Sequence, residues 1–139
     1  MALQWSDVYL EAALEGMVTA MNAAAGTAPT IEFFDGTLPA LTTDPDDGTL
    51  ICSAAFGADT FDLATGPLRI LATNTPVGFV SAAGTITYFR VKDDSSVVIM
   101  QGTCGSGSGD IDITPTNVTD GSALLSVGQF NFSPITVTF

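Results

Sequence analysis

The residues of this chain that could do chemistry are mainly aspartates. They stand in three groups: Asp44, Asp46 and Asp47 in the sequence DPDDG, the pair Asp59 and Asp62, and the pair Asp110 and Asp112. Aspartates at such spacing can bind calcium, or can serve as the acid and base of a glycoside hydrolase. Each of these two chemistries requires further residues, and the sequence can be searched for them.

The calcium interpretation lacks the remaining ligands. DPDDG has no third ligand at EF-hand spacing and no terminal bidentate acid, so a solvated turn is favoured. GSGSGDIDI is similar to the glycine-aspartate repeats of calcium-binding β-helices, but it occurs once and its Asp110 is one place out of register. We interpret it as a connection that enters a strand.

The enzyme interpretations lack their partners as well. A carboxylate pair acts on sugars when one acid has a raised pKa inside a sugar-binding cleft, and the only tryptophan, Trp5, lies outside the β region. The chain contains no histidine, which excludes Ser-His and Cys-His nucleophiles. GSGSG has neither the Lys of a phosphate loop nor the serine of a nucleophile elbow. We therefore expect no enzyme, no metal site and no cofactor.

Charge and cysteine usage limit the partners. Arg69, Arg90 and Lys92 are the only basic residues against 15 acidic ones, and the net charge is −12. Such a surface repels phosphate, so we expect no direct contact with nucleic acid or an anionic membrane; it either keeps the chain soluble or meets a basic partner. Cys52 and Cys104 are expected to be two buried free thiols rather than a bridge.

The first part of the chain predicts a helix. Ser6 is suited to the N-cap and Gly26 to the end, and apolar residues recur at helical spacing between them. No signal peptide is expected, because acidic and polar residues interrupt the apolar positions, and no apolar run approaches the roughly 20 residues of a membrane span. We predict a helical segment over 1–29 and a β domain over 30–139, made in the cytoplasm.

Strand and turn signals follow from Thr30 onward. In TITYFRVKD, alternation places Ile86, Tyr88, Arg90 and Lys92 on one face; Asp93 to Ser96 form a turn, and VVIMQG returns as an antiparallel partner. About eight short strands with polar turns predict a mainly β fold. We expect an antiparallel β-sandwich, jelly-roll or immunoglobulin-like, with one N-terminal α-helix.

Four segments of the chain, in order, resemble small virion proteins of tailed bacteriophages. They are WSDVYLEAALEGMVTAM, TIEFFDGTLPA, GTITYFRVKDDSSVVIMQGTCGSGSGDIDI and ALLSVGQFNFSPITVTF. The GT…FR…QGT segment is the most specific part of the likeness. Tyr88 stands where the family has Trp, Ser95 where its turn carries Gly, and Cys104 where it has a small apolar residue.

The resemblance implies a structural component, a capsid decoration or cement protein. Such a protein would bind the outer surface of the head shell and stabilise contacts between major capsid subunits. We expect a homo-oligomer, a trimer before a dimer, because trimers match the symmetry of the shell. The alternatives are another virion component, at the head-tail junction, tail or baseplate, and a module that binds a host receptor or glycan.

The N-terminal segment holds the candidate partner contacts Trp5, Tyr9 and Leu14. Trp and Tyr are common anchors of interfaces, and all three residues lie apart from the β pattern. The alternative is that this helix only covers one open end of the sandwich. From the first interpretation, deletion of residues 1–26 is expected to leave a soluble β domain that does not bind shells.

Overall fold

The structure is a computed structural model that describes residues 7–22, 29–56, 61–63, 70–72, 77–107, 109–112, 117–118, 124–126 and 131–132. The described chain begins with one helix and continues in strands alone. The mainly β fold class with one N-terminal helix is confirmed. The sandwich arrangement stays a prediction.

Helix α1 (Asp7–Asn22) packs against the β domain. Leu14 is 7% exposed and belongs to the hydrophobic core, and Val18, one turn later, packs against the same core. Met17 lies on a more open side and is 37% exposed. The expected cap Ser6 and the expected terminator Gly26 lie outside the described residues.

The described strands are short, between two and eight residues long. Twelve strands are described, more than the eight or so predicted; eight of them have three or more residues and four have two. They are β1 (Thr30–Asp35), β2 (Thr49–Ala55), β3 (Phe61–Leu63), β4 (Ile70–Ala72), β5 (Val77–Val80), β6 (Gly84–Thr85), β7 (Tyr88–Lys92), β8 (Val98–Gly105), β9 (Ile111–Asp112), β10 (Asn117–Val118), β11 (Leu124–Ser126) and β12 (Asn131–Phe132).

The largest sheet has the strand order β11-β5-β2-β1-β7-β8-β9. Its centre consists of the five antiparallel strands β5, β2, β1, β7 and β8, and β9 joins the end of β8 in parallel. The order shows that β1 lies between two strands that follow it in sequence. Two smaller ladders, β10-β6 and β12-β4-β3, complete the described strands.

The hairpin of β7 and β8 was predicted correctly. Tyr88 pairs with Thr103 and Arg90 with Gln101. The Asp93 carboxylate closes the turn by accepting hydrogen bonds from the backbone N–H groups of Ser95 and Val97, at 2.9 and 2.8 Å. The backbone φ is positive, 63°, at Ser96. The resemblance placed the turn glycine, and hence the positive φ, at Ser95. In the structure the positive φ lies one residue later, at Ser96.

The two faces of the sheet differ in chemistry. One face, the core face, carries buried residues such as Ile31, Phe33, Phe89 and Val91. Tyr88, Arg90 and Lys92 alternate with these residues and so lie on the opposite, outer face, as predicted. Ile86 was predicted to share that outer face, but it lies in the core, because residues 86–87 leave the regular strand between β6 and β7.

Candidate functional site

The outer face of β1, β7 and β8 is polar and is covered by the loop 36–48, here called the covering loop. The sheet presents Glu32, Phe34, Tyr88, Arg90 and Lys92 to this loop, and Gln101 lies opposite Arg90 on β8. The described anchors of this loop lie on β7, on β8 and at Thr87 just before β7, 41 to 62 positions further along the chain. The site is therefore built by tertiary contacts.

Two glycines let the ends of the covering loop meet. Gly36 and Gly48 have φ angles of 152° and 80°, in the region that glycine favours. A Cβ at Gly48 would collide with the Asp35 carbonyl and lie 2.9 Å from the Gly36 Cα. Thr87 fixes the start of the loop, because its hydroxyl donates to the Gly36 carbonyl at 2.7 Å and accepts from the Gly36 N–H at 3.0 Å.

Arg90 is the central anchor of the covering loop. It is 1% exposed, and its Nη1 donates to the Asp44 carbonyl and to the Asp46 carboxylate, both at 2.8 Å. Its Nη2 donates to the Leu41 carbonyl at 3.2 Å. The planar guanidinium thus joins three points of the loop at once, which the single ammonium group of a lysine cannot do in this geometry.

Lys92 extends the ion pairs towards β1. Its Nζ lies 2.6 Å from a Glu32 oxygen and 2.8 Å from Asp46 Oδ2, and 5.6 Å from the centre of the Phe34 ring. Burial alone would lower the pKa of Lys92, but its hydrogen bonds to Asp46 and Glu32 outweigh burial and raise the pKa. Its contribution to stability is therefore present at neutral pH and is lost as the pH rises through that elevated pKa.

The Asp46 carboxylate is held in its charged form. Burial alone would raise its pKa, but the hydrogen bond and charge of Lys92, followed by those of Arg90, outweigh burial, and the pKa lies below its usual value of 3.8. A general acid requires the opposite shift. Asp46 is therefore not suited to act as a general acid; in this geometry it is the ion-pair partner of Arg90 and Lys92.

Tyr88 binds the end of the covering loop. Its hydroxyl donates to the Asp47 carbonyl at 2.6 Å and accepts from the Asp47 N–H at 2.9 Å. The ring stacks on Phe34, with centroids 4.9 Å apart and planes 8° apart. Burial raises the pKa of the Tyr88 hydroxyl, which remains protonated as the donor.

Each aspartate of DPDDG accepts hydrogen bonds from a different set of donors within the chain. Asp46 binds the two cations, Asp44 accepts from the Leu41 N–H at 3.0 Å, and Asp47 accepts from the Thr37 N–H at 2.8 Å. No group of three or more potential metal ligands occurs within the described ranges. The interpretation as a solvated turn was incomplete: the loop is exposed on its outside, but it is bound to the sheet at several points.

A pocket of about 400 Å³ opens between the covering loop and the turn of the β7–β8 hairpin. Arg90 and Lys92 form its floor, Thr43 and Pro45 one wall, and Val97 part of the other. The two cations already bind Asp46, so the floor has no group prepared for acid-base chemistry. Arg90 Nε and Gln101 Oε1 are buried and have no hydrogen-bond partner in the described part of the chain, while Gln101 Nε2 donates to the Pro39 carbonyl at 2.7 Å.

The other aspartate pairs are described only in part. Asp110 closes the loop after β8, because its Oδ2 accepts from both the N–H and the hydroxyl of Thr103, at 2.8 and 2.9 Å. Asp59 lies outside the described residues, and of Asp62 and Asp112 only the backbone is described. Asp110 therefore serves as a structural acceptor for Thr103.

The two thiols are free, as expected, but only one of them is fully buried as predicted. Cys52 is buried in the core, and burial raises its pKa. Cys104 is half-buried, and burial together with the nearby charge of Asp110 raises its pKa to about 12. Both groups are therefore protonated at neutral pH and are poor nucleophiles.

The predicted partner residues fall in different places. Trp5 lies outside the described residues, and for Tyr9 only the backbone in α1 is described. Leu14 packs in the core, which supports the alternative in which the helix covers the β domain. The sequence pattern suggested Asp46 only as a calcium ligand and placed Arg90 on the outer face without a role, and it did not single out Gln101. The available signal for an ion pair was an arginine on a strand of a chain with three cations.

Comparisons with known proteins add no relative. No protein-family model, curated protein or solved structure matched the chain. Within the described residues, no helix has the length and apolar character needed to cross a membrane. The functional argument therefore depends on the residues of the chain and their geometry.

Proposed function

We propose that this chain is a bacteriophage capsid decoration, or cement, protein. It binds the outer surface of the head shell and stabilises contacts between major capsid subunits. It is made in the host cytoplasm, assembles onto the virion and has no enzymatic activity. Its partners are the major capsid protein and further copies of itself, in a trimer or a dimer, and it does not contact nucleic acid or membrane directly.

One observation carries the proposal: two segments that resemble phage virion proteins bind each other. The DGTLPA segment begins the covering loop, and the FR…QGT segment forms the β7–β8 hairpin beneath it. Gln101 donates to Pro39, Thr87 bonds with Gly36, and Arg90 reaches the loop at Leu41. The characteristic residues of these segments therefore hold a loop on a sheet. Such a stabilising role is expected in a structural protein.

Charge supports a protein partner over a nucleic acid. Both cations of the described part, Arg90 and Lys92, are ion-paired within the molecule, while Glu15, Asp93 and Asp94 lie at or near the surface without a cation. A partner thus meets a surface dominated by carboxylates. Such a surface also keeps unassembled copies apart, and many modest contacts on a shell then sum to firm retention.

The N-terminal contact is assigned to Trp5 and Tyr9. Leu14 belongs to the core, so removal of residues 1–26 would also remove core packing and would confuse folding with binding. Point substitutions separate the two effects. Trp5→Ala and Tyr9→Ala remove aromatic anchors, and truncation of an anchor at an interface typically costs about 2 kcal/mol or more of binding free energy.

The test is co-sedimentation of the purified full-length chain with empty head shells of the same phage that lack it. We expect saturable binding of hundreds of copies per shell, a higher temperature of shell disruption, and weaker binding by Trp5→Ala and Tyr9→Ala. Met17→Ala, on the exposed side of α1, is the matched control. Absence of binding to shells would refute the proposal, and a few copies at a vertex or tail would favour adhesion or a tail role.

A further inference from the structure

The outer face of the sheet is only half covered. The covering loop lies over β1, β7 and β8, whereas exposed side chains of β2 and β5 stand beside it. We define the open face as Leu50, Ser53 and Ala55 of β2 with Phe79 of β5, all exposed. Phe79 is 70% exposed, although its neighbours Gly78 and Val80 are buried. An aromatic side chain so exposed on a regular strand is typical of a contact surface.

The open face carries no charge in a chain of net charge −12. Its four residues are uncharged, and the carboxylate beside it on β1, Glu32, is ion-paired with Lys92. Two copies that approach through most other surfaces bring carboxylates together, which is unfavourable within a Debye length of about 8–10 Å. The open face lets two copies meet with little of this repulsion.

The shape of the open face is complementary to itself. Phe79 projects beside the small residues Ser53, its register partner on β2, and Ala55. Ser53 and Ala55 have short side chains, so the outer surface beside Phe79 is low. A two-fold contact requires that the same patch of each copy carries both complementary features. The open face meets this requirement, because it has both a protruding Phe79 and the short side chains on which a second Phe79 could pack.

We propose that the open face is a self-association surface for a second copy of this chain. In the pair, Phe79 of each copy packs on Ser53 and Ala55 of the other about a two-fold axis. This contact does not depend on the proposed role in capsids. It favours a dimer over the trimer that shell symmetry suggested.

The size of the open face indicates a weak contact. The seven residues of β2 extend about 23 Å, and neighbouring strands lie about 5 Å apart. This patch is smaller than the roughly 800 Å² per partner of a standard interface. Self-association is therefore expected at high protein concentration in solution, and a surface that gathers copies would strengthen it.

The experiment is sedimentation equilibrium of the full-length chain over a range of protein and salt concentrations. We expect a monomer–dimer equilibrium that strengthens with added NaCl, because salt screens the repulsion between two anionic copies. Phe79→Ser is expected to weaken dimerisation at least tenfold. Val97→Ser, at a residue 59% exposed in the hairpin turn, is the matched control and is expected to dimerise as the wild type does.

Three results would overturn the inference. They are a wild-type chain that stays monomeric at high concentration and high salt, a Phe79→Ser variant that dimerises normally, and a trimer sensitive to that substitution. Urea midpoints of both variants that equal the wild-type midpoint would show that neither substitution affects folding. If the chain forms the dimer but does not bind shells, the capsid role is refuted and this inference stands. If the wild type is monomeric and needs Phe79 to bind shells, the open face is instead a contact with the capsid protein.

Discussion

At the scale of single residues, the geometry around Arg90 explains why a chain with so few cations buries one. A buried guanidinium loses its hydration, and hydrogen bonds to its N–H groups offset this cost. Two backbone carbonyls and the Asp46 carboxylate accept from Nη1 and Nη2, while Nε has no partner in the described part of the chain. The residue thus converts a flexible loop sequence into a fixed cover for the sheet.

Replacement of Arg90 tests whether shape or charge matters more. Arg90→Lys keeps the charge but loses the planar fork, and Arg90→Met loses both. We expect each to lower the free energy of unfolding by about 1.5–3 kcal/mol, measured by urea denaturation, and to open the covering loop to an aspartate-specific protease. A lysine variant within about 0.5 kcal/mol of the wild type would show that charge alone suffices.

The Asp46 ion pairs predict a dependence of stability on acid. The folded-state pKa of Asp46 is lowered, so its contribution is complete above the usual value of 3.8 and is lost as the pH falls through the folded pKa. Asp46→Asn lacks this titration. Since the carboxylate is 36% exposed, we expect a difference of at most about 1 kcal/mol between the two proteins at neutral pH.

Urea midpoints of the wild type and Asp46→Asn, measured in parallel over pH, check this expectation. The difference should be constant above about pH 5 and should shrink below about pH 4. Effects of the other aspartates are common to both proteins and cancel. A difference that grows in acid would contradict the assigned direction of the Asp46 pKa.

At the scale of elements, the hairpin was predictable from sequence and its cover was not. Alternation in TITYFRVKD is a local signal, and it correctly placed Tyr88, Arg90 and Lys92 on one face. The covering loop has no periodicity, and its acceptors lie 44 to 49 positions before Arg90. Propensity and spacing carry no information about such a distant pairing, so the loop was interpreted as a turn in solvent.

The helix shows the same limit. Its existence follows from apolar residues at helical spacing, but the spacing does not indicate whether the apolar side meets the chain's own core or a partner. Burial of Leu14 at 7% exposure decides for the core at that position. Sequence therefore predicted the element, and only the packing assigned its role.

Leu14→Ala tests that packing. Removal of a buried leucine side chain typically costs about 2–5 kcal/mol, through lost burial and the cavity that remains. We expect a loss in this range for Leu14→Ala in urea denaturation. Met17→Ala, in the same helix but 37% exposed, is the matched control and should cost less than about 1 kcal/mol. Similar small losses for both variants would mean that α1 does not pack on the β domain.

At the scale of the whole molecule, the distribution of charge links stability to assembly. The two cations of the described part bind carboxylates between the outer face of the sheet and the covering loop. The remaining acidic residues of this chain of net charge −12 repel one another at longer range. The ion pairs are attractive and partly buried, whereas the repulsion acts between exposed carboxylates at longer range. Salt therefore screens the repulsion more strongly than the ion pairs.

This difference predicts that salt stabilises the folded chain. Added NaCl shortens the Debye length from about 30 Å at 0.01 M to about 8 Å at 0.15 M and so screens the long-range repulsion of the folded state. The ion pairs of Arg90 and Lys92 are short and partly buried, and are screened much less. We expect the thermal midpoint to rise over this range at a protein concentration low enough to keep the chain monomeric. Phe79→Ser should show the same rise, because the effect belongs to the single chain and not to dimerisation. A midpoint that falls with NaCl would mean that attractive pairs within the folded chain outweigh the repulsion among its carboxylates.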